Sequence, residues 1–276
     1  MLSEQLLIDR AGNFCASENH RLMAGWDKPK PAKEYKPNSV LLRALSQMES
    51  EGFTKFLVGD VQTFTGFKAS GDDIRQALAY KKSLEPPTGL VTYAEEKALE
   101  ELFDPDPALN FSTVHTRLGE EREVECMELL ASATGLNFVA TGENQVHIHM
   151  NGIGCTPDGI VLDDIDLAET GAEVKCKSPL VHARNMLIKD GEQLKAEEFE
   201  HFVQVQTAML VTGANHWYFA NFNPYAKLDA LKFGYIIVQR DQPFIEILQA
   251  RIDWAKKIKA EFAKKFETAV QMDKAA

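Results

Sequence analysis

Cysteine is scarce in this 276-residue chain, and the four present, Cys15, Cys126, Cys155 and Cys176, form no CxxC pair. That excludes a disulfide framework, a zinc ribbon and a cysteine-held iron–sulfur cluster of familiar spacing. Long apolar runs are missing too, and none approaches the roughly 18 residues that suggest a membrane span. Glu4 and Asp9 interrupt the short apolar stretch 6–8, and no basic start leads into an apolar core. No secretory signal is therefore read, and a cytoplasmic location is the expectation. A Walker A loop is absent, which leaves ATP-driven translocation unsupported. Positive charge is in deficit: 30 Lys and Arg stand against 41 Asp and Glu, a net charge of −11. This argues against sequence-independent coating of DNA but leaves room for a DNA enzyme with a local basic channel.

What is present is ordinary for a globular protein, with 45% hydrophobic and 26% charged residues. Only one periodic core of domain size is visible, so residues 1–276 are read as a single domain. Residues 26–115 form an N-terminal elaboration, 116–240 a catalytic core and 243–267 a C-terminal amphipathic helix. Residues 27–37, DKPKPAKEYKP, read as an extended solvated connector. Short helices are expected at 18–24, capped by Ser17, at 39–48, and at 92–103 before the break DPDP. Residues 52–72 carry strand-like fragments. From 116 onward the pattern gives a helix to 134, strands at 145–150, 155–162 and 171–176, a helix at 196–212, strands at 216–222 and 232–239, and a final helix. That order is an α/β arrangement, one sheet covered by helices.

The chemistry concentrates in two short motifs. Thr156-Pro157-Asp158-Gly159 lies on one strand and Glu173-Val174-Lys175 on the next. A hairpin brings Asp158 near Glu173, and Glu173 and Lys175, two apart in a strand, share a face. Val174 then points into the core and leaves its carbonyl free to act as a ligand. Two carboxylates and a carbonyl make a hard, all-oxygen site suited to Mg²⁺ or Mn²⁺ rather than zinc. A lysine beside it either deprotonates an attacking water or offsets phosphate charge. On the following helix, Gln206 falls on the inward stripe with Phe199 and Phe202, and Gln204 lies off it. A buried Gln206 either holds backbone or faces the metal. Glu123, at helical spacing from Met127 and Leu130, turns toward the core or stays on a solvated face. His147 and His149 read as a simple surface pair, and Trp217, Tyr218 and Phe219 as sheet core.

These residues resemble the PD-(D/E)XK nuclease superfamily, and within it the bacteriophage lambda exonuclease (YqaJ-type viral recombinase) family. The likeness rests on CTPDG at 155–159, EVKC at 173–176, QVQTAMLVTGANHWYFANFNP at 204–224, GEEREVE at 119–125 and RAGNFCAS at 10–17. It implies a restriction-endonuclease-like core, a central mixed sheet flanked by helices with an N-terminal helical elaboration. It also implies a Mg²⁺-dependent exonuclease that degrades one strand of linear duplex DNA 5′→3′. Such an enzyme releases 5′-mononucleotides and leaves 3′ tails for strand annealing. By the same resemblance, Asp158, Glu173 and the Val174 carbonyl bind one or two Mg²⁺ (or Mn²⁺) ions. Lys175, Gln206 and Glu123 complete the catalytic set, and Arg10, Ser17, Thr156 and Arg184 hold the 5′-phosphate. A ring-shaped homotrimer and a single-strand annealing protein are the implied partners. The chain departs from the pattern in Thr156, where a serine is expected, and in the long acidic loop 163–170. Alternatives are a structure-selective or site-specific endonuclease on the same core, and a catalytically inactive DNA-end-binding recombination protein.

Overall fold

The computed structural model describes residues 4–27, 38–66, 68–83, 85–103 and 114–275, which fall into two compact units, 1–24 with 89–276, and 25–88. The smaller unit overlaps the elaboration expected at 26–115. The Pro- and Lys-rich connector, apart from Asp27, and the DPDP break lie outside the described residues. Among the described residues, no helix is long and apolar enough to cross a membrane.

The smaller unit has a modest core of its own, which the sequence pattern did not reveal. Helix α2 spans Ser39–Ser50, starting where the Asn38 side chain accepts a hydrogen bond from the Val40 N–H. Its Leu41, Leu45 and Met48 pack with Val61, Ile74 and Ala77 from two further helices, α3 (Val58–Thr65) and α4 (Gly71–Ser83). The strand-like fragments expected at 52–72 are corrected: the described part of this stretch holds no strand, and Val58–Thr65 and the start of α4 are helix. Gly66, at φ 67°, ends α3 as a left-handed cap.

The larger unit opens with α1 (Glu4–Arg10), strand β1 (Phe14–Cys15) and a 3₁₀ turn at Asn19–Met23. Two helices follow, α5 (Thr88–Leu99) and α6 (Val114–Thr134), the latter stopped by Gly135 at φ 72°. Six strands come next, and with β1 they make two sheets, where one was expected. Strands β2 (Ile148–Met150) and β3 (Ile153–Cys155) join β1 in a three-stranded sheet of order β1-β3-β2. Strands β4 (Gly159–Leu162), β5 (Ala168–Lys175), β6 (His216–Phe222) and β7 (Phe233–Gln239) form a second sheet in that order. The expected strand 155–162 is broken because Pro157 has no N–H to continue a ladder. The chain leaves one sheet at Cys155 and enters the other at Gly159.

Strands β4 and β5 pair antiparallel, with Gly159 opposite Ala172, while β5 and β6 pair parallel, with Glu173 opposite Phe219. The crossover between β5 and β6 carries α7 (Pro179–Asn185), α8 (Gly191–Glu197) and α9 (Phe199–Thr212). The helix expected at 196–212 is α9, and α7 and α8 before it were not anticipated. Helix α10 (Gln242–Ala275) closes the chain. Alternation along the sheet separates two faces. Ala172, Val174, Tyr218, Ala220 and Phe222 pack against Cys126, Met127 and Leu130 of α6. Glu173 and Lys175 take the opposite face, the side on which Phe219 meets His201 of α9. Gly159 permits the α6 approach: a Cβ there would lie 2.5 Å from Met127 Cε.

Candidate active site

Strand register builds the center of the site. Asp158, in the link between the sheets, donates its N–H to the Ala172 carbonyl at 3.1 Å, which sets it opposite Glu173. Its carboxylate accepts the Val174 N–H at 2.6 Å and the Gln145 side-chain amide at 3.0 Å. Gln145 also donates to Glu123 Oε1 at 2.6 Å. One amide thus clamps the α6 carboxylate to the link carboxylate. Lys175 Nζ donates to Glu173 Oε1 at 2.5 Å and to Gln204 Oε1 at 3.3 Å. Glu123, Val174, Lys175, Cys176 and Lys177 line an open cleft here.

The electrostatics are those of crowded buried acids. Burial first, then the charges of Glu173 and Glu123, push the Asp158 carboxyl well above the ordinary carboxylate range. Lys175 and the Val174 N–H act in the opposite sense. For Lys175, burial lowers the ammonium's pKa, but Glu173 and Asp158 outweigh it and the net shift is upward. The mutual repulsion of Asp158, Glu173 and Glu123 in a partly dry place is what a cation would relieve. Among the described residues, no group of three or more His, Cys, Asp or Glu side chains is arranged to hold a metal ion. The donors on offer are Asp158, Glu173 and a main-chain carbonyl, a hard-oxygen set that fits Mg²⁺ or Mn²⁺.

Gln206 is corrected. It is fully buried, its amide donates to the Gln239 carbonyl and its oxygen accepts the Asp241 N–H, both at 2.9 Å. It fastens α9 to the end of β7, and Gln204 is the glutamine that reaches Lys175. The stripe placed Gln206 inward and Gln204 off it, as found; of the two readings of a buried Gln206, the structure gives the one that holds backbone, and the catalytic role implied by the resemblance is the part corrected. Gln145 was missed as well. It was read as the start of a strand, whereas it caps a 3₁₀ turn at Gly142–Asn144 and strand β2 begins three residues later. No local signal in the sequence points to it.

A second cluster lies on the other side of Pro157. Arg10 Nη2 donates to Ser17 Oγ at 3.2 Å. Ser17 is not the helix cap expected of it: the cap position is Glu18, which makes no side-chain capping bond. His147 Nδ1 lies 3.1 Å from Thr156 Oγ1, and its ring stacks on His149 with centroids 5.9 Å apart. Burial first, then Arg10 and His149, lower the His147 pKa to about 4. His147 is therefore half-buried beside both Arg10 and Thr156, not part of a simple surface pair. Arg184 is exposed on α7.

Comparison with known proteins yields a family and a fold. The model of the YqaJ-like viral recombinase domain matches residues 68–215, more than half of the chain. No curated protein matches by sequence. Among solved structures, an alkaline exonuclease (LHK-Exo) from Laribacter hongkongensis superposes with a TM-score of 0.59 at 17% identity, covering 98% of this chain and all of its own. LHK-Exo in complex with dAMP gives 0.58, also at 17% identity, covering 99% of this chain and all of its own. A phage-related exonuclease from Haemophilus somnus 129PT gives 0.52 at 15% identity, covering 68% of this chain and 88% of that one. At these identities the likeness is one of fold, shared with these exonucleases.

Proposed function

The chain belongs to the YqaJ-like viral recombinase family, of the lambda-exonuclease type, and on that footing we propose that it is a Mg²⁺-dependent exonuclease acting on linear duplex DNA. It degrades one strand 5′→3′, releases 5′-mononucleotides and leaves 3′ tails for recombination by strand annealing. The observation that carries this reading is the convergence of Asp158, Glu173 and Lys175 on one buried spot.

Asp158, Glu173 and the Val174 carbonyl would hold the ion. When bound, it supplies positive charge at the scissile phosphate and acidifies an attacking water. Asp158 is kept in place by the Val174 N–H and by Gln145, whose second bond holds Glu123 alongside. Lys175, positioned by Glu173 and Gln204, presents an ammonium donor to the reacting phosphate. Arg10 offers a forked set of donors, and Ser17 and Thr156 offer hydroxyls, to a 5′-terminal phosphate. Arg184 adds a cation for the DNA backbone. The proposal extends to a ring-shaped homotrimer, a closed cyclic assembly that light scattering would detect, and to a single-strand annealing partner.

The test is digestion of duplexes labeled separately at each 5′ and 3′ end, with and without a 5′-phosphate, in Mg²⁺. Loss of the 5′ label as mononucleotide, faster from phosphorylated ends, with closed circular DNA left intact, is the expected result. An intact linear duplex, or nicking of the circle, overturns it.

A further inference from the structure

Trp217, Tyr218 and Phe219, the aromatic run most visible in the sequence, are buried in the sheet and offer nothing to a ligand. Tyr225, just after β6, is the opposite case: 74% exposed and yet firmly held. Its N–H donates to Asn223 Oδ1 at 3.0 Å. Asn223 is itself buried, and its amide donates to the Lys177 carbonyl at 3.1 Å. Lys177 is a wall of the active-site cleft. On the other wall, Arg122 precedes Glu123 on α6 and lays its guanidinium 4.9 Å from the Tyr225 ring center. The Tyr225 backbone is thus linked through Asn223 to the cleft-lining Lys177, and its ring lies against Arg122, the residue next to the cleft-lining Glu123.

An exposed aromatic ring fixed at the mouth of an acidic, phosphate-cleaving cleft has an evident use. One face is taken by a cation, which polarizes the ring and reduces its freedom. The rest stands in water, where stacking on a flat heterocycle would remove apolar area at little further entropic cost. Arg122 and Lys177 beside it attract the phosphates on either side of such a heterocycle. We propose that Tyr225, backed by Arg122, is a stacking platform for a nucleobase of the degraded strand. This inference rests on DNA being the substrate, and it adds a contact that reads the base plane rather than the phosphate.

A protein–DNA double-mutant cycle tests it. Single-turnover digestion in Mg²⁺ is followed on an intact duplex and on duplexes with one abasic site at each of the first three nucleotides of the degraded strand. For the wild type, one abasic position should raise the half-saturating DNA concentration about tenfold, the order expected for one base–aromatic stack. Tyr225→Ala should raise it by a similar factor on intact DNA and be insensitive to the abasic change. Tyr225→Phe should keep the wild-type pattern, since the ring and not the hydroxyl is at work. Rates at saturating DNA should change little. Multiplying effects of Tyr225→Ala and the abasic site, a Tyr225→Phe variant as weak as Tyr225→Ala, or no effect of Tyr225→Ala overturns the platform. If the wild type cuts no duplex at all, the nuclease reading fails instead. Metal-free titration of a 2-aminopurine-labeled duplex then decides the platform, which requires fluorescence quenching by the wild type and less by Tyr225→Ala.

Discussion

Thr156 and Asp158 stand on either side of Pro157, yet each joins a cluster assembled by a different rule. Asp158 meets Glu173 and Lys175 because β4 and β5 are neighbors in one sheet with a defined register. Thr156 belongs to the other sheet's side of the link and meets His147, which feels the charge of Arg10, a residue from the far N-terminal part of the chain that donates to Ser17. The first cluster is acidic and buried. The second is cationic and only half-buried. A proline that cannot continue a ladder therefore places an acid-rich, cation-seeking site one residue away from a set of anion donors.

The sharpest way to break this contrast is at the acidic side. Asp158→Ala or Lys175→Ala should lower the digestion rate on linear duplex by about a thousandfold or more, the scale of losing a group that acts on transition-state charge. Wild-type protein should also gain thermal stability on adding Mg²⁺, through ligand linkage, and Asp158→Asn should lose that gain. An unchanged melting shift in Asp158→Asn would place the cation elsewhere.

The two glutamines divide function from stability within one helix. Gln204→Ala should cut the rate about tenfold to a hundredfold with little change in melting, because it removes one hydrogen bond that positions Lys175. Gln206→Ala should do the reverse. It strands the Asp241 N–H and the Gln239 carbonyl and should cost about 1–3 kcal/mol of stability with the rate per folded molecule preserved. Denaturant unfolding and single-turnover rates on the same preparations separate the two.

On the cationic side, Arg10→Ala should raise KM about tenfold for 5′-phosphorylated ends and hardly at all for 5′-hydroxyl ends, as loss of one charge-assisted contact predicts. Equal losses on both kinds of end would remove the phosphate from this cluster.

The smallest effect expected is in acid. His147, held near 4 by burial and by Arg10 and His149, and His201, held near 3 by burial and by Lys175 and Lys177, bind protons less readily folded than unfolded. Their contribution to stability is complete above the ordinary histidine value of about 6.5 and drains as pH falls toward the folded values. Urea midpoints measured between about pH 7 and about pH 4 should decline, and His147→Gln should flatten the upper part of the decline.

How much of this was legible varied with the distance over which each contact is made. Asp158, Glu173 and Lys175 were readable because a two-residue strand period and a hairpin are local facts. The helices at 39–50 and 114–134 were readable from periodicity and from a cap or a stop. The inward place of Gln206 was readable from the helical stripe, but that Gln204 on the neighboring flank meets Lys175 was not, because helical spacing does not say which flank faces the site. Gln145 and His147 were not recognized, since each matters only through a partner brought close by folding.

The amino-acid sequence alone determined that Asp158, Glu173 and Lys175 would meet, because they are spaced by the geometry of single strands and one turn; the family came from the likeness of its motifs, not from that geometry. Folding alone decided which glutamine serves the lysine, which amide joins Glu123 to Asp158 and which aromatic faces water. The reason is physical: those choices depend on the packing of α6, α9 and two separate sheets around Pro157, and packing is a property of surfaces that meet only in three dimensions.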